Sequence, residues 1–159
     1  YIFYVDEVND YPWTYLEAAP VTTEWANKQW GSHGTLIGAI ATAIGTGQAN
    51  TIAIVNWLDN NTDDTWGDVT EKTERAAYLC NELDEGGYSD WFLPSKEELN
   101  LMYENLKLYG VGGFADGPYW SSSEESTGTD IAWDQFFNTG NQYATTKADH
   151  LFVRAIRAF

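Results

Sequence analysis

Few side chains in this sequence have the types and spacing that covalent or metal chemistry requires. His33, His150 and Cys80 are the obvious base and nucleophile candidates of their kinds, and they are scattered along the chain. No GxSxG, HExxH, CxxC or phosphate-binding glycine loop accompanies them. Cys80 falls on the apolar face of an expected helix, where a small thiol packs and stays inert. The loop DNNTDD, residues 59–64, opens like a calcium loop with oxygen ligands at alternate positions. Asp64 stands where the sixth position needs Gly, and Thr70 where the twelfth needs Glu. A solvated acidic loop is the preferred reading, with a looser calcium site as the other. Glu97, Glu98 and Glu104 do not form an acid–base pair: Glu98 is taken up by a helix cap, the others by a solvated helix face. The expectation is therefore a protein with no catalytic residues, no cofactor and no metal ligands.

The stretch 119–159 carries a different pattern. Trp120, Trp133, Gln135, Phe137, Gly140, Gln142, Arg154 and Arg157 have scaffold character. Between them stand Thr129, Asp130, Asp134, Phe136, residues 143–146 and residues 148–151, with little shared chemistry. Read as a strand, 132–137 puts Trp133, Gln135 and Phe137 on one face, toward a core. Ala132, Asp134 and Phe136 share the other, with Asp134 and Phe136 directed outward. Such an arrangement describes a display surface; an ordinary surface loop is the competing reading at each position. Codon chemistry bears on the same residues. Random change at the first two bases of AAC or AAT reaches Thr, Asp, Ile, Phe, Tyr, Ala, His and Leu. It never reaches Glu, Lys, Gln, Met or Trp. Every non-scaffold residue belongs to the reachable set, which covers most amino acids.

The elements that must hold this surface are legible in part. Residues 1–5 and 14–18 read as strands around a turn-rich segment containing Asp6, Asn9, Asp10 and Pro12. From 20 to 47 the chain is rich in Gly, Thr and Ala and reads as ordered loop. Helical length and composition mark 48–58, followed by a polar loop over 59–68. A helix is expected over about 70–83, with Ala76, Leu79, Cys80 and Leu83 on one face and Gly86-Gly87 closing it. The clearest helix spans 95–108. Ser95 and Glu98 form a capping box, Leu99, Met102, Tyr103 and Leu106 follow the helical period, and Gly110 ends it. Beyond it, glycines at 112, 113, 117, 128 and 140 break the chain into short strands and loops. Segregated helices and an irregular antiparallel C-terminal half indicate α+β.

Composition narrows the partners. The 159 residues read most simply as one domain, 1–159, with 8 Trp, 10 Tyr and 7 Phe for packing. A net charge of −16 repels phosphate backbones and anionic lipid, so neither nucleic acid nor a membrane surface is an expected partner. No stretch is apolar enough to insert in a bilayer. Beginning at Tyr1 without Met, in an apolar run, the chain reads as a mature or trimmed fragment. A single cysteine excludes an internal disulfide and says little about compartment.

TYLEAAP (14–20), GTGQANT (45–51), GYSDWFLPSKEELNLMYENL (87–106), GVGGFA (110–115), YWSSSE (119–124) and RAIRAF (154–159) together resemble one family. It is that of the variable proteins of diversity-generating retroelements, whose domain type also ends the Lcl collagen-like adhesin. The resemblance covers nearly the whole chain. It implies a C-type lectin fold of the formylglycine-generating-enzyme subclass, with two or more helices and a short, irregular antiparallel sheet. That enzyme's chemistry needs cysteines absent here, so fold analogy carries no activity across. The resemblance further implies a variable region at about 120–159, where a reverse transcriptase rewrites adenine-derived codons. Implied scaffold positions are Trp120, Ser121, Ser122, Ser123, Trp133, Gln135, Phe137, Gly140, Gln142, Lys147, Arg154 and Arg157. Implied diversified, ligand-binding positions are Thr129, Asp130, Ile131, Asp134, Phe136, Thr139, Tyr143, Ala144, Thr145, Thr146, Ala148, Asp149, His150 and Leu151. Glu125 departs from the pattern, since no AAC or AAT codon yields it, and Phe152 stands where a polar residue is expected. The implied role is non-enzymatic binding of a variable macromolecular ligand, a protein on a cell surface, by a domain displayed extracellularly on a cell or virion. A fixed glycan-binding adhesin, with or without calcium, is the alternative.

Overall fold

The computed structural model describes residues 1–61 and 69–159; positions 62–68, which hold most of the expected polar loop and half of the calcium-like motif, lie outside the described residues. The strands are β1 (Ile2–Val5), β2 (Tyr15–Ala18), β3 (Trp25–Lys28), β4 (Pro118–Glu124), β5 (Ile131–Phe136), β6 (Gln142–Thr146), β7 (Leu151–Val153) and β8 (Ile156–Ala158). The α-helices are α1 (Gly47–Asn60), α2 (Ala76–Asn81) and α3 (Lys96–Asn105). One sheet runs β1-β2-β8 and a second runs β3-β7-β4-β5-β6. All pairings are antiparallel except β4 with β7. The architecture is α+β and compatible with a C-type lectin-like fold. Its sheet content is larger than the single short sheet expected, and mixed where β7 lies parallel to β4.

The larger sheet separates two cores. Alternation along β4 and β7 sends Trp120, Leu151 and Val153 to one side, with Trp30, Ile54, Leu58, Ala76 and Cys80. Tyr119 and the partly buried Phe152 go to the other side, with Phe137, Leu99, Met102 and Ile156. Phe152, unexpected from sequence, stacks on Tyr119 at 5.2 Å between ring centroids. From Tyr119 to Glu124, β4 is buried throughout, which explains its run of serines. Small hydroxyls fit there and satisfy strand and loop carbonyls: Ser121 Oγ donates to Trp133 O at 2.7 Å and Ser123 Oγ to Ala41 O at 2.7 Å.

Helix α3 forms where its pattern predicts but ends at Asn105, and a 3₁₀ turn (Lys107–Tyr109) takes up the rest of the expected span to 108. Ser95 Oγ accepts from Glu98 N at 3.3 Å, and Glu98 Oε2 accepts from Ser95 N at 2.7 Å, completing the capping box. Glu98 is fully buried and also accepts from Gly45 N at 2.8 Å; burial pushes its carboxyl above the usual range. Gly47 abuts that carboxylate so closely that any Cβ would overlap it. Helix α1 runs two residues beyond the expected end, at Asn60.

Two expectations are corrected. The helix over 70–83 is interrupted: a 3₁₀ segment (Val69–Glu74) ends at Arg75, whose backbone is extended, and only Ala76–Asn81 is α-helical. Tertiary contacts override propensity there, because Ala76 N donates to Gln29 O at 2.9 Å and the Arg75 guanidinium to the Gln29 side chain. The segment 20–47 is not wholly loop either, since Trp25–Lys28 forms edge strand β3 against β7. The remainder of that segment is tied down by side chains. Trp30 Nε1 donates to Ser121 O at 2.7 Å, and Glu124 accepts from the amides of Ile37, Gly38 and Ala39 at 2.9, 2.7 and 2.9 Å. An irregular segment can pack this closely only with its backbone groups satisfied in such ways.

Candidate ligand-binding face

The candidate residues gather on the β5–β6 hairpin, at one edge of the larger sheet, and on the turns flanking it. Directly paired residues of antiparallel strands point to the same side, so the register settles who shares a face. Asp134 pairs with Tyr143 and Ala132 with Thr145; Trp133 pairs with Ala144, Gln135 with Gln142 and Ile131 with Thr146. In the second group, Trp133, Gln135 and Gln142 face α3. Gln135 Nε2 donates to Asn100 Oδ1 at 2.8 Å, Gln142 Nε2 to Lys96 O at 2.9 Å, and the Lys96 ammonium lies 3.5 Å from the Trp133 ring centroid. The hairpin turn depends on Gly140, whose φ of +81° suits glycine and whose Cβ would come within 2.5 Å of the Tyr103 ring.

Thr129, Asp130, Thr139, Tyr143, Ala144, Asp149 and His150 are exposed. Ile131, Phe136, Thr145, Thr146 and Ala148 are half-buried. The Phe136 and Tyr143 rings meet edge to face, 5.4 Å apart, on the Asp134 side of the hairpin. Asn141 Nδ2 donates to the Tyr143 hydroxyl at 3.2 Å.

Two candidates are not displayed. Leu151 is 8% exposed and belongs to the core with Trp30, Trp120 and Val153. Asp134 is 1% exposed, against the expectation that it points outward. Alternation along β5 holds, but both sides are covered: Ala132 joins the first core beside Trp120, and Trp133 is only half-buried, under Lys96. A strand inside a sheet packed on two sides has no freely exposed face.

Sequence reasoning missed Asn138 and Asn141, both exposed in the hairpin turn. The signal was present, since AAC and AAT encode asparagine and an unaltered adenine codon reads Asn. His33 was also missed as a neighbour; the 29–46 segment brings its Nε2 to 3.4 Å from Thr146 Oγ1. Among the described residues no group of three or more His, Cys, Asp or Glu could hold a metal ion. Of the calcium-like motif, the described Asp59 is paired with Lys72 at 2.5 Å. Cys80 is buried among apolar side chains, which pushes its thiol pKa up.

Asp134 is the electrostatic irregularity of this face. Its Oδ1 accepts from Thr145 Oγ1 at 2.8 Å, while its buried Oδ2 has no hydrogen-bond partner. Burial, with a smaller contribution from the Asp149 charge and against the Thr145 hydrogen bond, pushes its carboxyl up to about 6. A carboxyl raised on folding favours the native state below the unfolded pKa of about 4, and that advantage is lost as pH rises through about 6. Ionised Asp134 therefore destabilises the fold at neutral pH. After discounting for solvent screening and for the amide left poorly paired, Asp134→Asn is expected to gain about 1 kcal/mol near pH 7 and nothing near pH 4. Thermal melts at the two pH values check this; a variant less stable at pH 7 would mean the carboxylate is held by favourable partners.

A lectin-compatible α+β scaffold thus presents a hairpin edge of chemically diverse side chains. Residues 47–157 match the Lcl C-terminal domain family, and the chain belongs to that family. No curated protein matches the chain.

Proposed function

We propose that this is a non-enzymatic binding domain whose β5–β6 hairpin and flanking turns contact a macromolecular ligand, a protein on a cell surface. In this reading the domain is a diversity-generating retroelement variable protein of the formylglycine-generating-enzyme subclass of the C-type lectin fold. It acts outside the cell, on a cell or virion surface. Membership of the Lcl C-terminal domain family supports the variable-protein or adhesin-like character. The observation that carries the reading is the way burial divides the codon classes. Apart from the half-buried Glu125, residues that no AAC or AAT codon yields are structural: Trp120, Gln135 and Lys147 are fully buried, and Trp133 and Gln142 are held against α3; of the reachable candidates only Asp134 and Leu151 are buried. The reachable residues between them supply nearly all of the exposed surface of the hairpin and its turns.

The genetic test is to sequence the gene and its flanks across many individuals of the source population. A nearby copy of the codons for 120–159, with differences concentrated where the copy has adenine, is the expected result. Invariance over 129–151 with no copy would sink the diversification. The binding test is a double substitution, Phe136→Ala with Tyr143→Ala. It is expected to abolish ligand binding while lowering stability by about 2 kcal/mol, the edge-to-face ring pair plus the burial of the half-buried Phe136. Binding that survives it would place the ligand elsewhere. A second reading, a fixed glycan-binding adhesin, draws on the half-exposed Tyr143, whose hydroxyl takes the Asn141 amide, as an aromatic side chain suited to stacking on a sugar. Calcium-dependent binding on a glycan array, from a locus without a template copy, would favour it.

A further inference from the structure

We propose that Asp134, flanked by the Phe136–Tyr143 ring pair, is the anchor for a lysine or arginine side chain of the ligand. This rests on the reading that the hairpin face binds ligand, and it names the chemistry recognised there.

Asp134 leaves one carboxylate oxygen without a hydrogen bond. A buried carboxylate normally has all its acceptor sites used, because leaving one bare forfeits hydration without replacement. Within this molecule buried Glu124 accepts from three backbone amides and from Lys147, whereas Asp134 Oδ2, like Asp6 Oδ1, is bare. The one charge that shifts the Asp134 carboxyl is a second carboxylate, Asp149. The basic side chains of the surrounding elements are engaged elsewhere. Lys147 is bound to Glu124, Lys28 to Glu74, and Lys96 lies over Trp133 on the α3 side of the hairpin. The position calls for a cation from outside.

The surroundings suit one. Tyr143, the direct cross-strand neighbour of Asp134, is 49% exposed, and the proposed contact requires its ring to swing aside. The Phe136 and Tyr143 rings then offer their faces to the cation and its aliphatic stem. Asp149 is exposed, and its charge acts on Asp134 as a second carboxylate. The net charge of −16 draws basic partners from a distance.

The test is an NMR titration of the whole domain near neutral pH with acetyl-lysine methylamide, against the uncharged acetyl-norleucine methylamide. The lysine probe is expected to give saturable shifts confined to Asp134, Phe136, Tyr143, Thr145 and Asp149. The norleucine probe, and the lysine probe on Asp134→Asn, are each expected to bind about tenfold more weakly. Asp149→Asn, which leaves the anchor in place, is expected to weaken the lysine probe about threefold. Equal affinity for Asp134→Asn, shifts spread over all acidic surfaces, or no saturable shift would overturn the anchor. Equal binding of both probes at the face would also overturn it while leaving the hairpin a ligand-binding site. The ligand-binding reading itself fails only if the Phe136 and Tyr143 double variant retains its ligand.

Discussion

Lys147→Met is expected to destabilise the domain by about 3–5 kcal/mol, a fall in Tm of roughly 10 °C for a chain of this size. Lys147 and Glu124 are both fully buried and paired at 2.6 Å. The ammonium also donates to Thr35 O and Thr129 O, each at 2.9 Å, and lies 4.7 Å from the Trp30 ring centroid. Methionine keeps most of the volume but leaves the Glu124 carboxylate uncompensated and two loop carbonyls without their donor. The loss belongs to the pair, so it is measured as one: a double variant, Lys147→Met with Glu124→Gln, is expected to lose less than the two single losses combined. Denaturant unfolding of the four proteins checks this, and a loss below about 1 kcal/mol for Lys147→Met would show the pair to be replaceable. The consequence for binding is geometric. Lys147 stands between Thr146 and Ala148 and ties their strand end to the 35–39 loop and to Thr129, so the side chains around it can change over an unmoving post.

Leu151→Ala is expected to cost about 2–4 kcal/mol, and His150→Ala, one residue away, less than about 0.5 kcal/mol. Leu151 packs with Trp30, Trp120 and Val153, and β7 holds it between β3 and β4. His150 is exposed in the preceding turn. Unfolding curves of the two variants measure the contrast; similar losses would mean that the core does not depend on Leu151. The same logic extends to populations. If position 151 is rewritten at the gene level, only apolar residues are expected to persist there, whereas 149 and 150 tolerate polar and apolar residues alike.

What was legible in the sequence was local. The capping box of Ser95 and Glu98, the apolar period through Leu99, Met102 and Leu106, and the first two strands all depend on near neighbours in the chain, and each forms as expected. The α+β class followed from the same periodicities. What failed had its causes far away in sequence. The expected second helix breaks where Arg75 and Ala76 are held by Gln29, and β3 exists only because β7 lies beside it. Neither partner is written into the segment itself.

The binding face divides in the same way. Sequence alone named the hairpin residues and separated the Trp, Gln and Lys positions from the varied ones between them, because residue type carries that distinction. It could not assign inside and outside on β5. Alternation says which residues share a face, but only the second layer of packing decides whether that face meets water. Trp120 and the first core cover the Ala132 and Asp134 side, while Lys96 and α3 cover the Trp133 and Gln135 side. Burial of Asp134, its bare oxygen and its raised pKa arise from that layering, which depends on contacts between strands and helices distant in the chain.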